Sequence, residues 1–107
     1  MRTIGYRDAS TSLTAAGSSQ SDALELIAAY NEVTTVSSGS GVILYSSLAP
    51  GDTQTVYNAG ANALRVYPPS SMKINSLSTN AAMLLGTNTT CEFSWVSATR
   101  IVGDLSA

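Results

Sequence analysis

The chain has 107 residues, enough for one domain with a small core, and only 11% of them are charged against a usual ~25%. Net charge is −2, and the five cations (Arg2, Arg7, Arg65, Lys73, Arg100) are scattered, so no basic footprint for nucleic acid or an anionic membrane surface is present. Histidine is absent and Cys91 is the sole cysteine, which excludes an internal disulfide framework and removes the commonest general base and metal ligand.

Residues 1–22 are rich in Ser, Thr, Ala and Gly, with Ile4, Tyr6 and Leu13 as the large apolar exceptions. Such a composition gains little from burial, so it predicts a flexible N-terminal arm that orders on a partner, by adding a strand to a sheet edge. Met1 to Ser10 lacks the apolar stretch of a signal peptide, so the chain is expected to be made in the cytoplasm and not exported by a visible N-terminal signal. Residues 23–107 then form the folded domain. Ser21 to Tyr30 carries both a capping signal and the alternation Leu24, Leu26, Ala28, Tyr30, which favours a strand. Asn31 to Val36 is β-rich, 37–41 (Ser-Ser-Gly-Ser-Gly) reads as a loop, and Val42 to Tyr45 as a short apolar strand.

Ala49-Pro50-Gly51-Asp52 is a β-turn signal, with Asp52 a turn residue. From Val56 to Pro69 the pattern predicts a hairpin: Val56 and Tyr57 in a strand, Asn58, Gly60 and Asn62 in the turn, and a second strand with Leu64 and Val66 in one phase and Arg65 and Tyr67 in the other. Pro68 and Pro69 stop it, because proline cannot donate to a ladder. Short strands follow at Met72 to Ile74, Ala82 to Leu85, Cys91 to Val96 and Arg100 to Val102, with polar turns between them. In the Cys91 strand, Cys91, Phe93 and Trp95 share one side and Glu92, Ser94 and Val96 the other; Trp95 fits either core or interface. Short strands at this spacing predict an all-β fold, a single small antiparallel β-sandwich or barrel-like domain.

The chain carries no Gly-x-Ser-x-Gly elbow, no phosphate loop with lysine and no dinucleotide fingerprint. The carboxylates Asp8, Asp22, Glu25, Glu32, Asp52, Glu92 and Asp104 are spread over expected turns and solvent faces. The expectation is therefore a protein that is not an enzyme and takes no cofactor or metal. The aromatics Tyr30, Tyr45, Tyr57, Tyr67, Phe93 and Trp95 fit a core or an interface, with a sugar-stacking platform as the alternative. Cys91 is expected to be a buried apolar residue.

The segment from Thr34 to Ala107 resembles a class of small β-structured virion proteins of tailed bacteriophages. The matching residues are 33–36 (Val-Thr-Thr-Val), 41–44 (Gly-Val-Ile-Leu), Pro50-Gly51-Asp52, the run 56–69 with its Tyr-Pro-Pro exit, Ile74-Asn75, 80–82 (Asn-Ala-Ala), Trp95 and the tail from Val96 to Ala107. The resemblance implies a capsid decoration (cement) protein on the outer capsid surface, partnered by the major capsid protein and by itself as a dimer or trimer. Within that expectation Arg2, Ile4, Tyr6 and Arg7 are the candidates for capsid attachment, and Tyr57, Arg65 and Tyr67 for the contact between protomers. The alternatives are a receptor- or glycan-binding module of a tail fibre and a small head–tail connector protein.

Overall fold

The computed structural model describes residues 5–105, with side chains from Asp8 onward. The chain is mostly β-strand, and the helical content among the described residues is the 3-10 turn Gln20–Asp22. Ten strands follow in chain order: β1 Gly5–Thr14, β2 Leu24–Glu25, β3 Ala28–Thr35, β4 Gly41–Ile43, β5 Thr53–Asn58, β6 Leu64–Tyr67, β7 Lys73–Ile74, β8 Met83–Leu85, β9 Thr89–Trp95 and β10 Arg100–Leu105.

The strands alternate between two sheets as the chain advances. One sheet has the order β1-β3-β5-β9-β10-β7, the other β2-β4-β6-β8. The ladders β1–β3, β3–β5, β2–β4 and β4–β6 are all parallel, so the first six strands wind as a solenoid-like coil. Ala9, Tyr30 and Thr55 form one row across three successive turns of that coil. The chain then reverses: β8 pairs antiparallel with β6, β9 antiparallel with β5, and β10 antiparallel with β9. β7 closes the far edge of the larger sheet, parallel to β10.

This arrangement corrects the expected antiparallel sandwich or barrel. Most strands other than β1 were legible, but apart from β9 and β10 their partners are not their sequence neighbours. The clearest case is the segment from Val56 to Pro69. It is not a hairpin: β5 lies in the six-stranded sheet and β6 in the four-stranded one. The polar run between them is a corner that carries the chain across the core. Asn and Gly residues suit a tight reversal of either kind, so turn chemistry alone does not separate the two. The segment expected as an arm runs from Gly5 as edge strand β1, beside β3. Register shifts interrupt that ladder, and Ser12 takes a left-handed φ of 59°.

One hydrophobic core lies between the sheets. The six-stranded sheet contributes Val33, Val56, Cys91, Phe93, Trp95, Ile101 and Ile74; the other contributes Val42, Leu64, Val66, Met83 and Leu85. Alternation along β5 and β9 is strict, and it is this period of two that sends Val56, Cys91, Phe93 and Trp95 inward. Trp95 is 2% exposed and belongs to the core.

Buried amides hold the corners. A coil that crosses between sheets leaves backbone groups that no ladder pairs, and each must find a partner or cost free energy. Gln54 is fully buried; its Nε2 donates to the carbonyls of Leu26 and Ala28 (3.0 and 2.9 Å), and its Oε1 accepts from the Tyr45 amide (3.0 Å). Asn58 serves the opposite corner: its Nδ2 donates to the carbonyls of Asn62 and Leu85, and its Oδ1 accepts from Gly60 N–H, each at 2.9 Å. Asn62 donates to the Val36 carbonyl at 2.8 Å. Gly60 packs so closely there that a Cβ would lie 2.6 Å from Val36 Cγ2.

Candidate functional site

The outward phases of β3, β5 and β9 build a continuous face on the six-stranded sheet. Tyr30, Thr55, Glu92 and Asp104 stand in one row across β3, β5, β9 and β10. Glu32, Tyr57 and Thr90 form the next row, and Thr53, Ser94 and Val102 the row on the other side. The face is mostly hydroxyl-bearing, with Tyr30 40% exposed. Its charges are the carboxylates Glu32, Glu92 and Asp104, the last two directly opposite one another, with the cations Arg100 and Lys73 paired at the β10–β7 edge.

The attachment and contact candidates fall in different places. Arg2 and Ile4 lie outside the described residues; Tyr6 and Arg7 lie on β1, with side chains outside the description. Tyr57 is half-buried on the outer face of β5. Arg65 is exposed on the outer face of β6, in the opposite sheet. Tyr67 shares Arg65's phase but is 7% exposed, because the segment after β1 crosses over it; its hydroxyl donates to the Ser18 carbonyl at 3.3 Å. The expected trio is therefore divided between two opposite faces.

That crossing segment is organised by Asp22. Its Oδ1 accepts from the amides of Ser18 and Ser19 (3.0 and 2.9 Å) and from the Ser19 hydroxyl (3.0 Å). These bonds, led by the Ser19 amide, hold the Asp22 carboxyl below its ordinary range. Gln20 anchors the segment with Nε2 donating to the Pro68 carbonyl at 2.8 Å.

Beside it runs a groove with two adjoining cavities that share Ser46, Pro69 and Ser70 as a common wall. The first, of about 410 Å³, is lined by Gln20, Ser21, Ala23, Glu25, Ile43 and Leu44. The second, of about 390 Å³, has Leu48, Met72 and Trp95 among its lining residues, with Pro50, Ser97 and Ala98. The indole N–H of Trp95 is buried and has no hydrogen-bond partner among the described residues. Sequence reasoning missed this groove. Pro68 and Pro69 marked the end of a strand, but nothing in a linear pattern indicates that the loop after β4 lies against them.

Cys91 is fully buried on β9, and burial pushes its thiol up to about 12, with the Asp104 and Glu92 carboxylates acting in the same direction. It is an inert core residue. No group of three or more potential metal ligands is found among the described residues. No described helix is long and apolar enough to cross a membrane. The chain matches no family model, no curated protein and no solved structure.

Proposed function

We propose that this protein is a structural virion protein that decorates the outside of a tailed-phage capsid and stabilises the lattice of major capsid protein, associating with itself as a dimer or trimer at symmetry positions. The observation that carries the reading is the outer face of the six-stranded sheet. It is built on rigid, fully paired strands and presents Tyr30, Thr53, Thr55, Tyr57, Thr90 and Ser94. The hydroxyl-bearing part of that face can be covered at little cost where its hydroxyls are hydrogen-bonded, and Glu32, Glu92 and Asp104 on the same face would be met by basic groups of the shell. A repeated weak contact of this kind stabilises an assembled shell by linkage, because each copy binds the lattice and not its dissociated parts. Phe93, Trp95 and Tyr67 are taken up by packing, which leaves Tyr30 and Tyr57 as the aromatics of the outer face and favours decoration over a larger stacking platform for a glycan.

The test is copy number in purified virions, measured by gel densitometry against the major capsid protein. A ratio near one to one, or a simple fraction of it, is expected. A few copies to a few tens per particle would place the protein in the tail and overturn the proposal. Rebinding to undecorated capsids adds a residue-level check. Tyr30→Glu and Thr55→Arg should each weaken rebinding at least about tenfold while changing stability by roughly 0.5–1 kcal/mol or less.

A further inference from the structure

We infer that the free edge of β8 is where this chain pairs with a second copy of itself, β8 against β8 in antiparallel register about a two-fold axis at Leu84. The inference rests on the self-association proposed above, whose surface and symmetry it names. It leaves the outer face of the six-stranded sheet free for the shell.

β8 ends the four-stranded sheet, with β6 on one side and no strand on the other. The ladder fixes which backbone groups lie on the open side. Arg65 N–H donates to the Ser40 carbonyl at 3.3 Å, so the backbone groups of Arg65 turn to β4. Those of Leu64 and Val66 then turn to β8, where their partners are Leu85 and Met83. Alternation leaves the N–H and C=O of Leu84 directed away from β6. The Leu84 residue is 63% exposed.

Comparison of the four sheet edges singles this one out. Edge strands are ordinarily protected from pairing by charge, proline, bulges or shortness. β1 carries the exposed Asp8, register shifts and the left-handed Ser12. β2 has two residues, one of them the exposed Glu25. β7 also has two, with exposed Lys73 beside Arg100 of β10. β8 has three, its register with β6 is unbroken, and no charged residue or proline lies between Lys73 and Glu92.

Three features select a second copy as the occupant. The edge is neutral, so two identical edges meet without like charges in contact. The nearest charge in the Leu84 row is Arg65, which would stand three strand spacings from its counterpart. That is about 14 Å, beyond the screening length of about 8 Å at physiological salt. An axis at Leu84 also makes the seam self-complementary: each Leu84 N–H donates to the other's C=O, and the two leucine side chains stand side by side. Finally, this isologous contact uses up the edge on both copies, so association closes at two and joins the four-stranded sheets into one of eight. A strand of a different protein could meet the backbone groups equally well, but a neutral edge gives it no charge to recognise.

A three-residue seam is small, so the expected Kd in solution is about 10 µM to 1 mM; on a shell, high local concentration strengthens the same contact. The test is sedimentation of the full chain over a concentration series spanning that range, with a monomer–dimer equilibrium expected. Leu84→Lys should weaken the dimer at least about tenfold. Leu84→Pro should do the same with an intact fold, because it removes an N–H that β6 does not use. Should the proline variant fail to fold, Leu84→Lys carries the test. Leu84→Cys under mild oxidation should give a disulfide-linked dimer, since opposed Cα atoms about 5.5 Å apart are within bonding range. Cys91 is fully buried and does not compete. Val96→Cys, at an exposed apolar position away from the edge, should not cross-link. A monomer throughout the series overturns the inference, as does a trimer, a dimer that Leu84→Lys leaves intact, or equal cross-linking at position 96. A monomeric chain whose Leu84→Lys variant no longer binds undecorated capsids would also overturn it, and would give the edge to a strand of the shell. Copy number in virions is measured separately, so failure here leaves decoration standing, and a low copy number leaves the dimer standing.

Discussion

The first six strands and the last four solve the same problem, reversing the chain around one core, by different means. In the winding from β1 to β6 each reversal crosses from one sheet to the other. The orphaned backbone groups at those corners are met by buried side-chain amides, Gln54 on one side and Asn58 with Asn62 on the other. In the closing segment the chain still crosses between sheets from β7 to β8 and from β8 to β9, and only β9 to β10 reverses within one sheet, but the turns are closed by local backbone bonds. Backbone bonds such as Leu77 N–H to the Ile74 carbonyl and Ala81 N–H to the Ser78 carbonyl serve there, with left-handed residues Asn75, Asn80 and Asn88. The contrast has a physical cause. A parallel coil separates paired strands by a full turn of chain, so its corners draw on side-chain partners, whereas the antiparallel return from β9 to β10 supplies its own within a few residues.

The sharpest way to break the comparison is at the amides. Gln54→Leu keeps the volume and removes the polar head, so the Leu26 carbonyl and the Tyr45 amide lose this partner in the core, while the Ala28 carbonyl keeps the Asn31 amide. A loss of about 3–5 kcal/mol is expected at the denaturant midpoint, with Asn58→Ala similar. That is a large share of the roughly 5–15 kcal/mol that holds such a domain together. A loss under about 1 kcal/mol at either position would show that the corners are not held this way.

Next in size is Gly60→Ala at the corner, where the added methyl meets both Val36 Cγ2 at 2.6 Å and Val36 N at 3.0 Å. Overpacking against backbone should cost about 1–3 kcal/mol. In the closing segment Gly103→Ala meets side chains only, with Cys91 Sγ at 3.0 Å and Met83 Sδ at 3.2 Å, so its neighbours can give and the loss should be smaller. Thermal melts of the two variants side by side decide the order, and a reversed order would sink the distinction.

Cys91 gives a pH signature. Its folded pKa is raised from 9.0 to about 12, so the folded state holds the proton after the unfolded chain has released it. The stabilisation is complete below pH 9.0 and is lost as pH rises from there towards about 12. Cys91→Ser should flatten that part of the stability profile. Alkylation of the native protein at pH 8 should be negligible, appearing only with denaturant; rapid native labelling would contradict the burial.

The smallest effect is at Asp22, fully exposed and acting locally. Its carboxyl is held below the ordinary 3.8, so its contribution is present above that pH and lost as pH falls through the lower folded value. Asp22→Asn should raise amide exchange at Ser18 and Ser19 at neutral pH and leave the global melt nearly unchanged. Unaltered exchange at both amides would mean that the crossing segment is ordered by Gln20 alone.

The sequence by itself determined the all-β class, the approximate place of most strands after β1, which read as an arm, and which residues of β5 and β9 face inward. Local chemistry carries these: side-chain period, β-branched and aromatic content, and turn residues such as Ala49-Pro50-Gly51-Asp52, where Asp52 accepts the Ala49 amide at 3.0 Å as a turn residue should. The burial of Cys91 was legible for the same reason. Ser21 to Tyr30 was legible only in part: the alternation promised one strand, and the chain makes β2 and β3 with a corner between them. Partnership was decided only by the tertiary structure. Both sheets face the same core, so an inward residue reads identically whichever sheet it joins. A strand's alternation also says nothing about whether its neighbour runs parallel or antiparallel. For that reason β5 and β6 read as a hairpin, and Tyr57, Arg65 and Tyr67 read as one surface when they lie on two. The fully buried amides Gln54 and Asn58 were hidden by the same limit, since a polar residue on an inward phase completes its hydrogen bonds only when distant turns of the coil come together. The groove beside Pro69 depends on that stacking as well.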